Sequence, residues 1–142
     1  MEDVEWNSVV PLVTMETEGS NCFNEALKAG KIVSLTGINS IAKSLGALSV
    51  SQKLFDMSQE SKYQIKSCIV TDQEALESCL NFASEHRMLV EPACGAALSA
   101  VYFKSEDLFS QVVGIKPIVV VVCGGNMASL DLFETWKKSL KA

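Results

Sequence analysis

Two stretches carry residues whose types and spacing could do chemistry. The first is Cys123-Gly124-Gly125-Asn126, which follows the β-branched run Ile118 to Val122 and precedes Ser129, a helix-capping residue type. A strand ending in two glycines before a helix can aim backbone amides at a small anion. In open α/β sheets, ligands bind at this carboxyl end of a strand. Cys123 would face such a ligand as a neutral hydrogen-bond partner; as a nucleophile it would need an activating base, and none is visible. The blander reading is a tight turn in which glycine supplies a positive φ. The second stretch is Glu16 with Ser20 nearby, whose oxygens could serve a cation. Its blander reading is a solvated turn carboxylate.

Other chemistry is poorly supported. His86 is the single histidine and falls at a helix end among charges, which suits a capping or surface role. The five cysteines Cys22, Cys68, Cys79, Cys94 and Cys123 form no Cys-x-x-Cys pair, which leaves a zinc site poorly supported, and their odd number argues for reduced thiols, mostly core filler. No P-loop and no Gly-x-Gly-x-x-Gly occurs.

The elements that must position these residues alternate in type. Val9 to Met15 reads as a strand with Pro11 near its start or edge, and Glu16 to Asn21 as the turn out of it. Ser20 or Asn21 can cap a short helix carrying Phe23, Ala26 and Leu27, which stops at Gly30. Lys31 to Leu35 is a short apolar segment. Helical spacing follows over Ile38 to Leu45 and again over Ala47 to Met57, then a polar loop from Ser58 to Tyr63. Ser67 to Val70 reads as a strand. Thr71 and Glu74 make a capping box for a helix with Leu76, Cys79, Leu80 and Ala83 inward.

Pro92 opens the next helix, whose small residues Cys94, Gly95, Ala96, Ala97, Ser99 and Ala100 allow close backbone approach, most simply against a sheet. Lys104 to Gly114 is a polar link. Ile118 to Val122, apolar without alternation, predicts a strand buried on both faces. A helix follows with Leu132, Phe133, Trp136 and Leu140 inward, acids early and lysines late. Strands alternating with helices predict an α/β fold, a mostly parallel sheet in three layers with helices flanking it.

Composition bounds the partners. The chain has 142 residues, enough for one domain with a core, and 48% are hydrophobic. A net charge of −5 argues against nucleic acid. No apolar stretch nears the ~20 residues that span a bilayer. The acidic start lacks a signal-peptide pattern, so a cytoplasmic protein without membrane contact is expected.

Three segments together go further: Thr14 to Ser20, Leu89 to Tyr102 (within it Val90-Glu91-Pro92-Ala93-Cys94-Gly95-Ala96-Ala97), and Val119 to Gly125. With Lys31 to Leu35 and Ser40 to Gly46 between them, the chain resembles the animal L-serine dehydratase / L-threonine deaminase family over nearly its whole length. That resemblance implies a pyridoxal-phosphate (PLP) enzyme of fold type II, removing water from a small amino acid to give pyruvate or 2-oxobutyrate plus ammonia. It places Cys123 at the pyridine nitrogen of the cofactor, beside Gly124. A thiol there leaves that nitrogen unprotonated and favours β-elimination. It maps a site for potassium or another monovalent cation onto the Glu16 side chain and the carbonyls of Ser20, Leu45 and Ala47.

The family's Schiff-base lysine motif, its substrate-carboxylate loop and its Gly-rich phosphate cradle lie upstream of the matching region. None of the eleven lysines has that lysine's context. Asn126-Met127 departs from the family's usual serine-asparagine pair. Residues 1–142 are therefore expected to form a single partial domain, the carboxyl-terminal portion of such an enzyme and inactive alone. The alternative is a non-catalytic interaction module pairing with a full-length relative; a weaker one is a small-anion or nucleotide binder using Gly124-Gly125. Open sheet edges and apolar faces predict marginal stability and self-association.

Overall fold

The computed structural model describes residues 10–61, 63–109 and 117–140. Strand β1 (Leu12–Thr17) pairs in parallel with β2 (Ile65–Val70), from Leu12 opposite Ile65 to Thr17 opposite Val70. Between them run helix α1 (Cys22–Ala29), a 3-10 turn (Lys43–Leu45) and helix α2 (Gln52–Gln59). After β2 come α3 (Asp72–His86), α4 (Pro92–Tyr102), α5 (Ser105–Phe109) and α6 (Leu130–Ser139).

Side-chain alternation sorts the helices into two layers around this sheet. Ile65 and Ser67 face α1: Ile65 packs with Phe23 and Phe55, and Ser67 Oγ accepts from Asn24 Nδ2 at 2.9 Å. Met15 and Val70 face the other way, against Ala75 of α3 and Ala96 of α4. This is the helix-sheet-helix layering expected of an α/β fold. A third cluster, built on Leu76, Cys79, Cys94, Leu98 and Phe133, joins α3 and α4 to α6.

Local signals account for most helix ends. Thr71 and Glu74 form the reciprocal capping box of α3, with Glu74 N to Thr71 Oγ1 at 3.1 Å and Thr71 N to Glu74 Oε2 at 2.8 Å. Pro92 occupies the first turn of α4, and Ser129 caps α6. Gly30 ends α1 in the left-handed region at φ 65°.

Several expectations need correction. Residues 118–122 are extended but belong to no strand among the described residues. Val120 and Val122 pack on the α3-α4-α6 cluster, whereas Val119 and Val121 are 81% and 69% exposed. An unbroken apolar run specifies an extended segment; it does not specify that both faces are covered. Lys31 to Leu35 forms no strand, only the single bridge between Ser34 and Ser49. Ile38 to Leu45 is not a helix beyond the 3-10 turn. Its amides are taken elsewhere: Asn39 N donates to the Gly19 carbonyl, Ile41 N to Asp72 Oδ2 and Ala42 N to Ser40 Oγ. Side-chain and tertiary bonds there outcompete the helical ladder. α2 starts later than its apolar spacing suggested, where the Ser51 hydroxyl caps it.

The small residues of α4 serve helix contact more than sheet contact. A Cβ on Gly95 would overlap the Ala75 carbonyl of α3 and stand 2.6 Å from Cys79 Sγ. Ser78 and Ser99 hydroxyls meet across the same interface at 2.8 Å. The polar link after α4 contains α5, and residues 110–114 of that link lie outside the described residues.

Candidate functional site

Glu16 is a strand residue, not part of a turn. It sits near the end of β1 with 7% exposure, facing α1. Its Oε1 accepts from Phe23 N at 2.9 Å and its Oε2 from Asn24 N at 2.8 Å. These are free amides in the first turn of α1, which a local cap would ordinarily satisfy. Asn21 stands at the N-cap position without making that bond; its side chain reaches Glu25 instead. Burial pushes the Glu16 carboxyl above its ordinary value, although both amides pull the other way.

The chain turns back immediately after Glu16. Ser20 N donates to the Thr17 carbonyl at 3.0 Å, and Gly19 makes the turn at φ 77°. A Cβ on Gly19 would overlap the Asn39 carbonyl, so glycine is required on both counts. Ser20 is 2% exposed, and its hydroxyl has no hydrogen-bond partner among the described residues. Ser40 Oγ lies 2.8 Å from Thr17 Oγ1 and donates to Asp72 Oδ1 at 2.6 Å. This network ties residues 39–42 to the end of β1 and to the start of α3. Leu45, in the 3-10 turn just beyond, packs with Met15 over Val70 and Ala75. Ala47 is exposed.

The second group centres on the strand-like tip. Cys123 is an exposed free thiol. Gly124 accepts from Cys94 Sγ at 3.4 Å through its carbonyl, and a Cβ on Gly124 would overlap the Glu91 carboxylate. A Cβ on Gly125 would lie 2.7 Å from the Leu89 carbonyl. Neither glycine has a positive φ. The pair is needed for close approach to the Leu89-Val90-Glu91 segment, not for an unusual turn. Cys79 donates its thiol to the Glu91 carbonyl at 3.4 Å, and burial pushes that thiol up to about 12.

One contact connects the two groups. Ser44, inside the 3-10 turn, donates its hydroxyl to Glu91 Oε1 at 2.9 Å, and Glu91 lies against Gly124. The Glu16 end and the Cys123 end are thus separate sites with Glu91 between them. In the sequence Glu91 stands beside the helix-opening Pro92 and within the Val90 to Ala97 motif, with no role of its own assigned. A carboxylate beside a Gly-Gly pair 33 residues later leaves no spacing signal in one sequence. His86 sits at the end of α3, its ring 4.5 Å from that of Phe82, and lines a surface hollow with Ile118 and Val120. All five cysteines are free. No helix among the described residues is long and apolar enough to cross a membrane.

Comparison with known proteins agrees with this architecture. The sequence profile of the family described as pyridoxal-phosphate dependent enzyme matches residues 3–124. A "Serine dehydratase-like" protein of Rattus norvegicus is 41% identical over 144 residues, covering 97% of this chain and 42% of that protein. The "L-serine dehydratase/L-threonine deaminase" of Bos taurus is 39% identical, covering 99% of this chain and 43% of that protein. The crystal structure of a fungal L-serine ammonia-lyase from Rhizomucor miehei superposes with a TM-score of 0.85 at 34% identity, covering 92% of this chain and 41% of that one. The chain spans less than half the length of these relatives. The profile match over most of the sequence, on a parallel sheet layered between helices, makes this chain a member of the pyridoxal-phosphate-dependent enzyme family.

Proposed function

We propose that this chain is the carboxyl-terminal part of an L-serine/L-threonine dehydratase, the enzyme class that eliminates water from the amino acid and releases pyruvate or 2-oxobutyrate with ammonia. The observation that carries the reading is Cys123-Gly124, presented at the end of an extended apolar run and backed by Glu91 and Cys94. An exposed, unpaired thiol in that position fits the ring end of pyridoxal phosphate. Bound there, the cofactor supplies an electron-withdrawing ring that acidifies the α-carbon of the amino acid.

The chain's own contribution is orientation. Cys123 would offer the ring nitrogen of the cofactor a hydrogen bond from its thiol, which would leave that nitrogen unprotonated. Gly124 keeps the thiol in place through its contacts with Glu91 and Cys94. Glu16, with the carbonyls of Ser20, Leu45 and Ala47, would hold a potassium-like cation at the end of β1. The buried, unpartnered Ser20 hydroxyl is consistent with a missing polar neighbour there. Four lysine amines are already engaged, those of Lys28, Lys43, Lys104 and Lys137 with Glu25, the Ile38 carbonyl, Glu74 and Glu134. The covalent anchor and the phosphate grip would come from protein outside this sequence. The free thiols suit a reducing compartment such as the cytoplasm.

The test is keto-acid release from L-serine and L-threonine by the purified chain with added pyridoxal phosphate and potassium. The expected outcome is no turnover alone, and turnover when the amino-terminal half of a full-length relative is added. Turnover by the chain alone would sink the reading, since one of its own lysines would then hold the cofactor. A second reading, a non-catalytic module that pairs with a full-length relative, is favoured by the exposed Val119 and Val121 edge. Association with that relative without any gain of turnover would select it.

A further inference from the structure

The Cys123-Gly124 tip rests on two side chains. Cys94 of α4, 4% exposed, donates its thiol to the Gly124 carbonyl at 3.4 Å. Glu91 supplies the other support. A Cβ on Gly124 would overlap Glu91 Oε1 and lie 2.7 Å and 3.1 Å from its Cδ and Cγ, so the end of that side chain backs the glycine. A half-buried glutamate side chain is rich in rotamers and leaves such a place unless something holds it.

The Glu91 main chain is well held. Its carbonyl accepts from Cys94 N at 2.9 Å, from Gly95 N at 3.1 Å and from the Cys79 thiol. Among the described residues its carboxylate accepts from one group, the Ser44 hydroxyl at 2.9 Å, 47 residues away in sequence. Ser44 is fixed in turn by the 3-10 turn around it, which Leu45 N closes on the Ala42 carbonyl at 3.0 Å. Asp72 ties that segment to the start of α3 through Ser40 and Ile41. A continuous set of bonds thus runs from α3 to the tip, and its one side-chain-to-side-chain step beyond the turn is Ser44 to Glu91.

We propose that Ser44 and Glu91 are a positioning pair for the Cys123 thiol. The Ser44 hydroxyl selects the Glu91 rotamer that backs Gly124, and that rotamer sets how the tip presents its thiol. The relevance to catalysis rests on the reading of Cys123 as the partner of the cofactor ring. The pair acts through Gly124.

Alkylation of the purified chain with iodoacetamide, followed cysteine by cysteine by mass spectrometry, tests the pair. Cys94 reacts only when the tip lifts from α4, so its rate reports that opening. Cys22, buried in the separate cluster with Phe23 and Val50, reports opening elsewhere in the fold. Ser44→Ala should speed Cys94 by about three- to tenfold, the population change that loss of one hydrogen bond brings, with Cys22 unchanged. Glu91→Ala should do at least as much. Ser44→Thr and Glu91→Gln keep the donor and the acceptor and should retain wild-type protection. Ser44→Ala added to Glu91→Ala should have no further effect, since its partner has gone. An unchanged Cys94 rate in Ser44→Ala, or additive effects in the double variant, would overturn the pairing. Equal acceleration of Cys22 and Cys94 would overturn it as well, because the whole fold would then have loosened. When the amino-terminal half of a full-length relative is supplied, Ser44→Ala should raise the pyridoxal phosphate concentration for half-maximal turnover by a similar factor, with little change in kcat. Absence of turnover in wild type would count against the dehydratase reading, while Cys94 protection in the chain alone still decides whether the pair fixes the tip.

Discussion

Glu74 shows how one residue can be read locally and still hold a distant tie. Its capping bond with Thr71 is three residues long, and its other oxygen accepts from Lys104 Nζ at 2.6 Å, 30 residues away. Burial pushes the carboxyl up, but Lys104 and the Thr71 amide bind its charged form and hold it below its ordinary value. A depressed carboxyl stabilises the fold fully above the ordinary carboxylate range. That stabilisation fades as pH falls through the lowered folded value. Glu74→Gln should therefore cost stability at neutral pH, by about 1–2 kcal/mol. The loss should shrink in acid; urea unfolding across pH checks this. The capping box was legible in the sequence because both partners sit within one turn. The bonds from Glu16 to Phe23 and Asn24 were not. Nothing in the spacing distinguishes a carboxylate that faces a helix start from one that faces water. Asp72 is a similar case, since its bond to Ser40 joins residues 32 apart.

At the scale of elements, the α3-α4 pair rests on the absence of one side chain. Gly95→Ala would drive a methyl into the Ala75 carbonyl and toward Cys79. Alanine is the better helix former by about 1 kcal/mol, yet overpacking costs about 1–3 kcal/mol, so the net expectation is destabilisation. A lower urea midpoint with an unchanged m-value would confirm it, and an unchanged midpoint would show that the helices can part without loss. Helices α1, α3, α4 and α6 were well marked in the sequence by caps and apolar spacing, whereas α5 read as polar link. Residues 38–45 were misread because their apolar spacing suits a helix while their amides are committed to Asp72, Ser40 and Gly19. Residues 118–122 were misread for a different reason. β-Branched composition sets an extended backbone, but neighbours decide which face is buried.

For the molecule as a whole, that segment is a surface awaiting company. Val119 and Val121 point outward beside the half-buried Val120 and Val122, and Ile118 is also exposed. Exposed extended chain of this kind pairs readily with another strand. Replacing both outward valines with lysine should reduce self-association, as sedimentation at increasing concentration would show. Stability should change by no more than about 0.5 kcal/mol, since both side chains are already in water. Self-association that is unchanged in this variant would place the contact elsewhere.

The capping of α1 from the strand bears on how the chain folds. An eight-residue helix is too short to persist in water by itself, and this one lacks a bond from its own N-cap side chain. Its first amides are answered only by Glu16, seven and eight residues back, after the turn through Gly19 has closed. Helix nucleation here therefore waits on the strand. β1 and α1 are therefore expected to form as one unit, and Gly19→Ala should slow refolding as well as lower stability, as stopped-flow refolding would check.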